Sequence, residues 1–119
     1  MPTVYVVQEP KPGPRGFIYD ISPAMSLGAL TFVFDAQSQP GLMPGPAVHH
    51  ARNVLKDFGP DDYLLWAGGD PTALAIVSAV VSELTHGHFR FLRWERERDA
   101  NAQRTGRGFY LPVSLNVRS

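Results

Sequence analysis

Apolar positions along the chain fall into segments separated by turns rich in glycine and proline. The segments predict strands at residues 3–8, 29–34, 63–67, 88–94 and 109–117, and helices at 47–58 and 71–86. The first strand is apolar on both faces, which is typical of a buried parallel strand. The last alternates apolar and polar side chains with period two, and Pro112 within it indicates a sheet edge.

The order β-β-α-β-α-β-β predicts a single α/β or α+β domain over residues 1–119. We expect a mixed sheet of five strands with two helices, in which the last two strands form a hairpin. Pro/Gly-rich loops are predicted at 10–16 and 35–46, and a short helical turn at 20–24. The polar segment 95–108 predicts a connection with a turn at 105–108, so that residues 93–108 form an arm.

The turn Gly68-Gly69-Asp70-Pro71 joins a predicted parallel strand to a helix. Open α/β sheets bind ligands at this position, and helix N-termini favour anions, so Gly68, Gly69 and Asp70 are a candidate anion site. However, Asp70 is itself a good N-cap, with Pro71 suited to the first helical position. Neither a G-x-G-x-x-G motif nor a Walker lysine is present, and a well-capped tight turn is therefore the favoured interpretation.

The net charge of zero arises from two halves of opposite sign. Residues 1–86 hold four bases and eight acids, whereas residues 87–119 hold seven arginines and three acids. The excess of positive charge lies mainly in the predicted hairpin, in which arginines and aromatic side chains are interleaved. The hairpin is therefore a candidate binding surface. The candidate partner-binding residues are Arg90, Arg93, Trp94, Arg96, Arg98, Arg104 and Arg107.

Two functional interpretations of this hairpin compete with a purely structural one. Arginine and tryptophan are common anchors of protein interfaces. Arginine beside aromatic rings also suits nucleic-acid backbones and bases. Because Glu95, Glu97 and Asp99 interrupt the run, the arm could equally be solvated and self-paired. Those acids and the zero net charge favour a protein partner over nucleic acid.

Residue types that carry chemistry do not converge in the sequence. The chain has no cysteine, and its histidines are His49, His50, His86 and His88, without an H-x-x-x-H pair. Asp61 and Asp62 are adjacent at the start of a strand and point to opposite faces. No serine lies in a nucleophile-elbow context. We therefore expect no metal, no cofactor and no enzymatic activity.

The cellular location is predicted from what the sequence lacks. No apolar run reaches the ~18 residues that a membrane span needs. The first residues also lack the charged and apolar regions of a signal peptide. We expect a cytoplasmic protein without membrane contacts.

Several segments resemble a group of small proteins from tailed bacteriophages and integrated phage elements. They are Val4-Tyr5-Val6-Val7-Gln8, Asp20-Ile21-Ser22-Pro23-Ala24, Asp61-Asp62-Tyr63-Leu64-Leu65, Gly69-Asp70-Pro71 and Leu92-Arg93-Trp94-Glu95-Arg96. The similarity extends to about Arg98, and none of the segments is a catalytic signature. The resemblance implies an accessory phage protein in the cytoplasm of the bacterial host, and it implies no mechanism.

Three hypotheses follow for the function. The first is a non-enzymatic interaction protein that binds a host or virion protein or itself, including as a homodimer through an edge strand. The second is a nucleic-acid binder that uses the arginine-rich hairpin. The third is nucleotide or phosphate binding at the Gly68-Gly69-Asp70-Pro71 turn.

Overall fold

A mixed sheet of five strands with two helices is seen in the computed structural model, which describes residues 2–13, 16–17, 21–98 and 104–118. The strands are β1 (Thr3–Gln8), β2 (Pro12–Gly13), β3 (Gly16–Phe17), β4 (Ala29–Phe34), β5 (Tyr63–Leu65), β6 (His88–Arg98) and β7 (Arg104–Asn116). The helices are α1 (Pro44–Leu55) and α2 (Pro71–Leu84), and short 3₁₀ helices span Ser22–Ser26 and Pro40–Leu42. The predicted mixed sheet, helices and C-terminal hairpin are confirmed.

The sheet has the strand order β4-β1-β5-β6-β7. The pairs β1–β4, β1–β5 and β5–β6 are parallel, and β6–β7 is antiparallel. The chain first moves from β1 to one neighbour, β4, and then crosses back through α1 to the other neighbour, β5. The direction of winding therefore reverses between β1 and β5, and this reversal opens a crevice at the carboxyl ends of the two strands.

Each face of the sheet is covered by a different layer. Tyr5 and Val7 of β1 belong to a buried cluster that both helices cover, whereas Val4 and Val6 belong to a second cluster beneath the Ser22–Ser26 helix. A right-handed preference for crossovers explains the difference, because reversing the winding direction moves the connection to the opposite face. We call the first face the helix side. The predicted burial of β1 on both faces is confirmed.

Predicted boundaries differ from the structure in the first half of the chain, where α1 also ends at Leu55 rather than at residue 58. Helix α1 begins at Pro44 rather than at residue 47. Prolines are tolerated in a first turn, whose amide groups have no intrahelical acceptor, so the predicted loop extended too far. The loop predicted at 10–16 contains a two-residue antiparallel ladder, in which Pro12 pairs with Phe17 and Gly13 with Gly16.

The prediction of a polar connection at 95–108 was wrong in extent. Strand β6 continues to Arg98 and β7 starts at Arg104, so the proposed turn at 105–108 is strand. Alternating arginine and glutamate gives no apolar period, yet cross-strand pairs such as Trp94 with Tyr110 continue the ladder. Residues 99–103 of the predicted arm, with Asp99, lie outside the described residues. Among the described helices, none is long and apolar enough to cross a membrane.

Candidate functional site

The hairpin of β6 and β7 extends beyond the rest of the sheet. Strand β5 pairs with β6 only from Arg90 to Leu92, after which β6 pairs with β7 alone. This two-stranded part, residues 93–98 and 104–111, takes the place of the predicted arm of residues 93–108. From here on we call it the arm. Six residues of extended strand span about 20 Å. Since β5 and β6 are parallel, the arm leaves the sheet at its carboxyl edge.

The elongated dimensions of the molecule agree with a projecting arm. The Cα radius of gyration is 15.0 Å, and the principal extents are 48 × 37 × 25 Å. A compact domain of this length has a radius of gyration of about 13.5 Å. The arm therefore extends past the point where β5 ends.

One face of the arm is packed by aromatic rings. The rings of Trp94 and Tyr110 meet edge to face with centroids 4.9 Å apart, and Tyr110 continues into the second core cluster. The indole also lies directly over Gly108, where a Cβ atom would overlap it. An aromatic ring over a glycine on the neighbouring strand covers backbone that would otherwise be exposed. Trp94 therefore has a structural role in the arm.

Replacing Gly108 with alanine is expected to destabilise the arm. The added methyl group would overlap the Trp94 indole and the Glu95 carbonyl oxygen, so the ring and the neighbouring β6 backbone must shift. Overpacking of this kind costs about 1–3 kcal/mol. Urea unfolding together with the NMR signal of the Trp94 indole tests this, with Ser114→Ala as an exposed control on β7. An unchanged indole signal in Gly108→Ala would show that the ring does not pack there.

The opposite face of the arm, on the helix side, is apolar and open. Phe109 is 51% exposed and Leu111 39% exposed. They pair with Glu95 and Arg93, whose side chains form an ion pair beside them. The helices pack over β4, β1 and β6, and β7 lies beyond them. Phe109 and Leu111 thus form an apolar patch framed by charge, which we call the arm patch.

Phe109 and Leu111 are not among the partner-binding residues predicted from the sequence. Their period-two pattern predicted an edge strand that could pair with a second copy by strand addition, rather than an apolar docking face. The signal that could have identified them is the absence of a third amphipathic helix in the sequence. In a sheet with two helices on one side, a fifth strand at the edge lies farther out than those helices reach.

The predicted arginines divide into two places. Arg96, Arg98, Arg104 and Arg107 lie on the strands of the arm with Arg93, and the register sets Arg98 opposite Arg104. Arg90 lies about 20 Å from Arg96, at the opposite end of β6. Its guanidinium stacks 4.0 Å from the centre of the Tyr63 ring and donates to the Asp61 carbonyl oxygen. Arg90 therefore anchors the amino end of the sheet and is remote from the arm.

A cleft of about 520 Å³ lies at the same carboxyl edge, where the winding reverses between β1 and β5. It is lined by Gln8, Glu9, Pro10, Lys11, Ala36, Ser38, Gln39, Gly41, Leu42, Ala67, Gly68, Gly69 and Asp70. These residues follow the ends of β1, β4 and β5 or belong to the Pro40–Leu42 helix.

Gln8 holds the loops around this cleft together. Its side chain is 3% exposed and is the one buried polar side chain among the described residues. Its Nε2 donates to the carbonyl oxygens of Asp35 and Ser38 at 3.0 and 2.8 Å, and its Oε1 accepts from the Asp70 amide at 2.8 Å. Buried amides with this many partners fix their surroundings in one arrangement. The sequence offered one sign of this role, a polar residue that ends an apolar strand.

Asp70 caps α2 as predicted, and Pro71 is the first helical residue. The carboxylate accepts from the Thr72 amide through Oδ1 and from the Gly41 amide through Oδ2, both at 2.9 Å. These hydrogen bonds, the Gly41 amide first, lower the pKa of the Asp70 carboxyl below its ordinary value. The amides that a bound anion would use at this turn are therefore occupied by the chain's own carboxylate.

The stability contributed by Asp70 is expected to depend on pH in one direction. Because the folded-state pKa is lowered, the contribution is present above the ordinary value of 3.8 and is lost as the pH falls through the lowered pKa. Urea unfolding of wild type and Asp70→Asn should differ near neutral pH and converge in acid. Asp57→Asn, at an exposed position, is the control. A difference that persists unchanged in acid would contradict the assignment.

Metal-ligand residue types do not cluster in the part of the chain that the structure describes. No group of three or more histidine, aspartate or glutamate side chains lies close enough there to hold one ion. Asp62 instead accepts hydrogen bonds from the Thr3 and Gly59 amides, both at 2.8 Å. His50 Nε2 lies 2.7 Å from the Val33 carbonyl oxygen.

Comparison with known protein families decides the relationship that the sequence segments suggested. Residues 2–105 match the family described as Phage Pam3 gp32-like protein. The chain belongs to the Phage Pam3 gp32-like protein family. The resemblance to small phage proteins is thereby confirmed. No curated protein and no solved structure matches the chain significantly.

The Phage Pam3 gp32-like match covers one of the two features at the carboxyl edge, the cleft, and not the other, the arm patch. The match includes every residue that lines the cleft and the whole of β6. It ends at residue 105, so Phe109 and Leu111 lie beyond it. The cleft is thus part of the region shared with the family, and the arm patch lies outside that region.

Proposed function

We propose that this phage protein is a non-enzymatic interaction protein that docks onto another protein, of the host or of the virion, through the arm patch. One observation carries the proposal: the arm leaves the sheet and exposes Phe109 and Leu111 on a ribbon of two strands. A two-stranded ribbon is at best marginally stable in water by itself. Phe109 and Leu111 lie in the part of the ribbon nearest the sheet, opposite Glu95 and Arg93, and are stabilised when a partner covers them.

The composition of the arm patch fits a protein interface. Such interfaces have an apolar centre within a polar rim, and aromatic side chains supply much of the binding energy. Phe109 supplies the ring, and the ion pair of Arg93 and Glu95 supplies part of a rim. The described arm carries five arginines and two glutamates, a net charge of +3. We therefore expect the partner to present an acidic surface to the arm. Complementary charge of this kind speeds association more than it strengthens binding.

The position of Pro112 argues for docking on the face of the arm rather than along its edge. Pro112 pairs with Leu92 within a continuous part of the β6–β7 ladder. Since proline has no amide hydrogen to give to that ladder, its nitrogen faces the outer edge. The outer edge of β7 therefore lacks a donor near its middle. This favours a partner that covers Phe109 and Leu111 over an added strand.

Nucleic-acid binding is the second candidate, favoured by the charge of +3 on the arm. Two of the predicted arginines are already engaged within the chain. Arg93 pairs with Glu95, and Arg90 contacts Tyr63 and Asp61. The protein hypothesis is preferred for this reason and because of the apolar patch.

Affinity capture with two baits tests the proposal. The wild type and a Phe109→Ser/Leu111→Ser double variant are each used to capture partners from lysate of phage-infected host cells, with and without nuclease. The proposal predicts a protein that the wild type enriches and the double variant loses, regardless of nuclease. Equal enrichment by both baits would contradict it, and loss of the enriched protein after nuclease treatment would favour nucleic acid.

A further inference from the structure

The cleft at the carboxyl edge is built independently of the arm. It lies where the winding reverses between β1 and β5, the place at which open α/β sheets bind small molecules. Its volume of about 520 Å³ is within the range of small-molecule sites. Its walls come from three separate segments of the chain, those that follow β1, β4 and β5, so its shape depends on how those segments are held.

The loops are held by hydrogen bonds that do not require a ligand. Gln8 joins the loop after β4 to the turn before α2. Asp70 then joins that turn to the Pro40–Leu42 helix through the Gly41 amide. The Gly69 backbone has a φ of +114°, and a Cβ there would overlap the Gln8 side chain. Glycine is therefore required for the turn to close on Gln8, and the cleft is pre-formed.

The charges of the lining disfavour the phosphate that a site at this position commonly takes. Two acids, Glu9 and Asp70, line the cleft with one base, Lys11. Asp70 already accepts from the Gly41 and Thr72 amides, so the helix N-terminus is occupied. An added phosphate would meet the Asp70 carboxylate at short range, which is unfavourable.

The remaining groups of the lining suit an uncharged ring with amino groups. Pro10, Ala36, Leu42 and Ala67 supply apolar contacts, and Leu42 is 75% exposed. Ionised carboxylates are acceptors only, so Asp70 and Glu9 select ligands that offer N–H donors. We propose that the cleft binds an amino-bearing nucleobase or nucleoside that carries no phosphate.

The test is a titration of the full chain with defined probes. Binding is measured by calorimetry or by the shift in melting temperature. The probes are adenosine, guanosine and cytidine, then uridine, which lacks an exocyclic amine, and the matching 5′-monophosphates. At least one amino-bearing nucleoside should bind saturably. Its monophosphate should bind about tenfold more weakly, which corresponds to about 1.4 kcal/mol of repulsion.

Variants show whether the ligand binds in the cleft and which residue makes the monophosphate bind more weakly than the nucleoside. Ala36→Trp should fill the cleft and abolish binding, and Leu42→Ser, at an exposed position, should weaken it without affecting folding. Asp70→Asn keeps an N-cap but removes the charge, so it should reduce the difference between nucleoside and monophosphate. Lys56→Ala, at an exposed position away from the cleft, is the control.

Three results would overturn the inference: no saturable binding of any amino-bearing nucleoside, tighter binding of the monophosphate, or unchanged affinity in Leu42→Ser.

Discussion

The Phe109→Ser/Leu111→Ser double variant is expected to bind the captured partner at least about 30-fold more weakly than the wild type. The expected loss of at least about 2 kcal/mol is that of a central interface anchor. Each side chain is only about half buried in the free protein, so its removal should lower the free energy of unfolding by less than the ~2–5 kcal/mol that truncation of a core side chain costs. Isothermal titration with the purified partner, beside urea unfolding, separates the two effects.

A control removes an exposed apolar side chain elsewhere. Met25 is 62% exposed on the Ser22–Ser26 helix, on the other side of the sheet from the arm patch. Met25→Ser should leave the affinity within about twofold of the wild type, a difference below ~0.5 kcal/mol. If the two variants lose affinity equally, the effect of the double variant is not specific to the arm patch.

Gln8→Ala is expected to lower the free energy of unfolding by about 3 kcal/mol. The substitution leaves the Asp70 amide and the carbonyl oxygens of Asp35 and Ser38 without their side-chain partner. Each buried polar group left unpaired costs about 1–3 kcal/mol, and water entering the cleft recovers part of that cost. Urea unfolding measures the change, and hydrogen exchange at the Asp70 amide reports whether the loops around the cleft separate.

Gln37→Ala provides the comparison for Gln8→Ala. Gln37 is exposed and lies on the same loop that Gln8 contacts, so its truncation should cost less than about 0.5 kcal/mol. A loss below about 1 kcal/mol in Gln8→Ala would mean that the Gln8 hydrogen bonds do not hold the loops. In that case the pre-formed cleft, and the ligand inference that depends on it, would lose their basis.

The sequence predicted the helix cap, the edge strand and the buried strand because each depends mainly on residues that are neighbours in the chain. Asp70 and Pro71 cap α2 as expected, because cap and first turn are adjacent in the chain. Pro112 indicated an edge strand, and β7 is at the edge. The buried first strand followed from its apolar residues on both faces.

The features that escaped prediction depend on contacts between distant parts of the chain. Gln8 bonds to residues 27 to 62 positions away, and nothing local marks those partners. The arm was underestimated because alternating arginine and glutamate resembles a solvated loop, whereas cross-strand pairs extend the ladder. Phe109 and Leu111 form a candidate surface because the two helices stop short of β7, and no local pattern indicates where the helices end relative to that strand.

Site-specific photo-cross-linking tests the role of the arm most directly. A photoreactive phenylalanine analogue is placed at position 109, where it replaces a ring of similar shape, and at exposed position 56 as the control. Both proteins are irradiated in phage-infected host cells. We predict a discrete protein adduct from position 109 that is absent from position 56. No protein adduct at 109, or the same adducts from both positions, would contradict it.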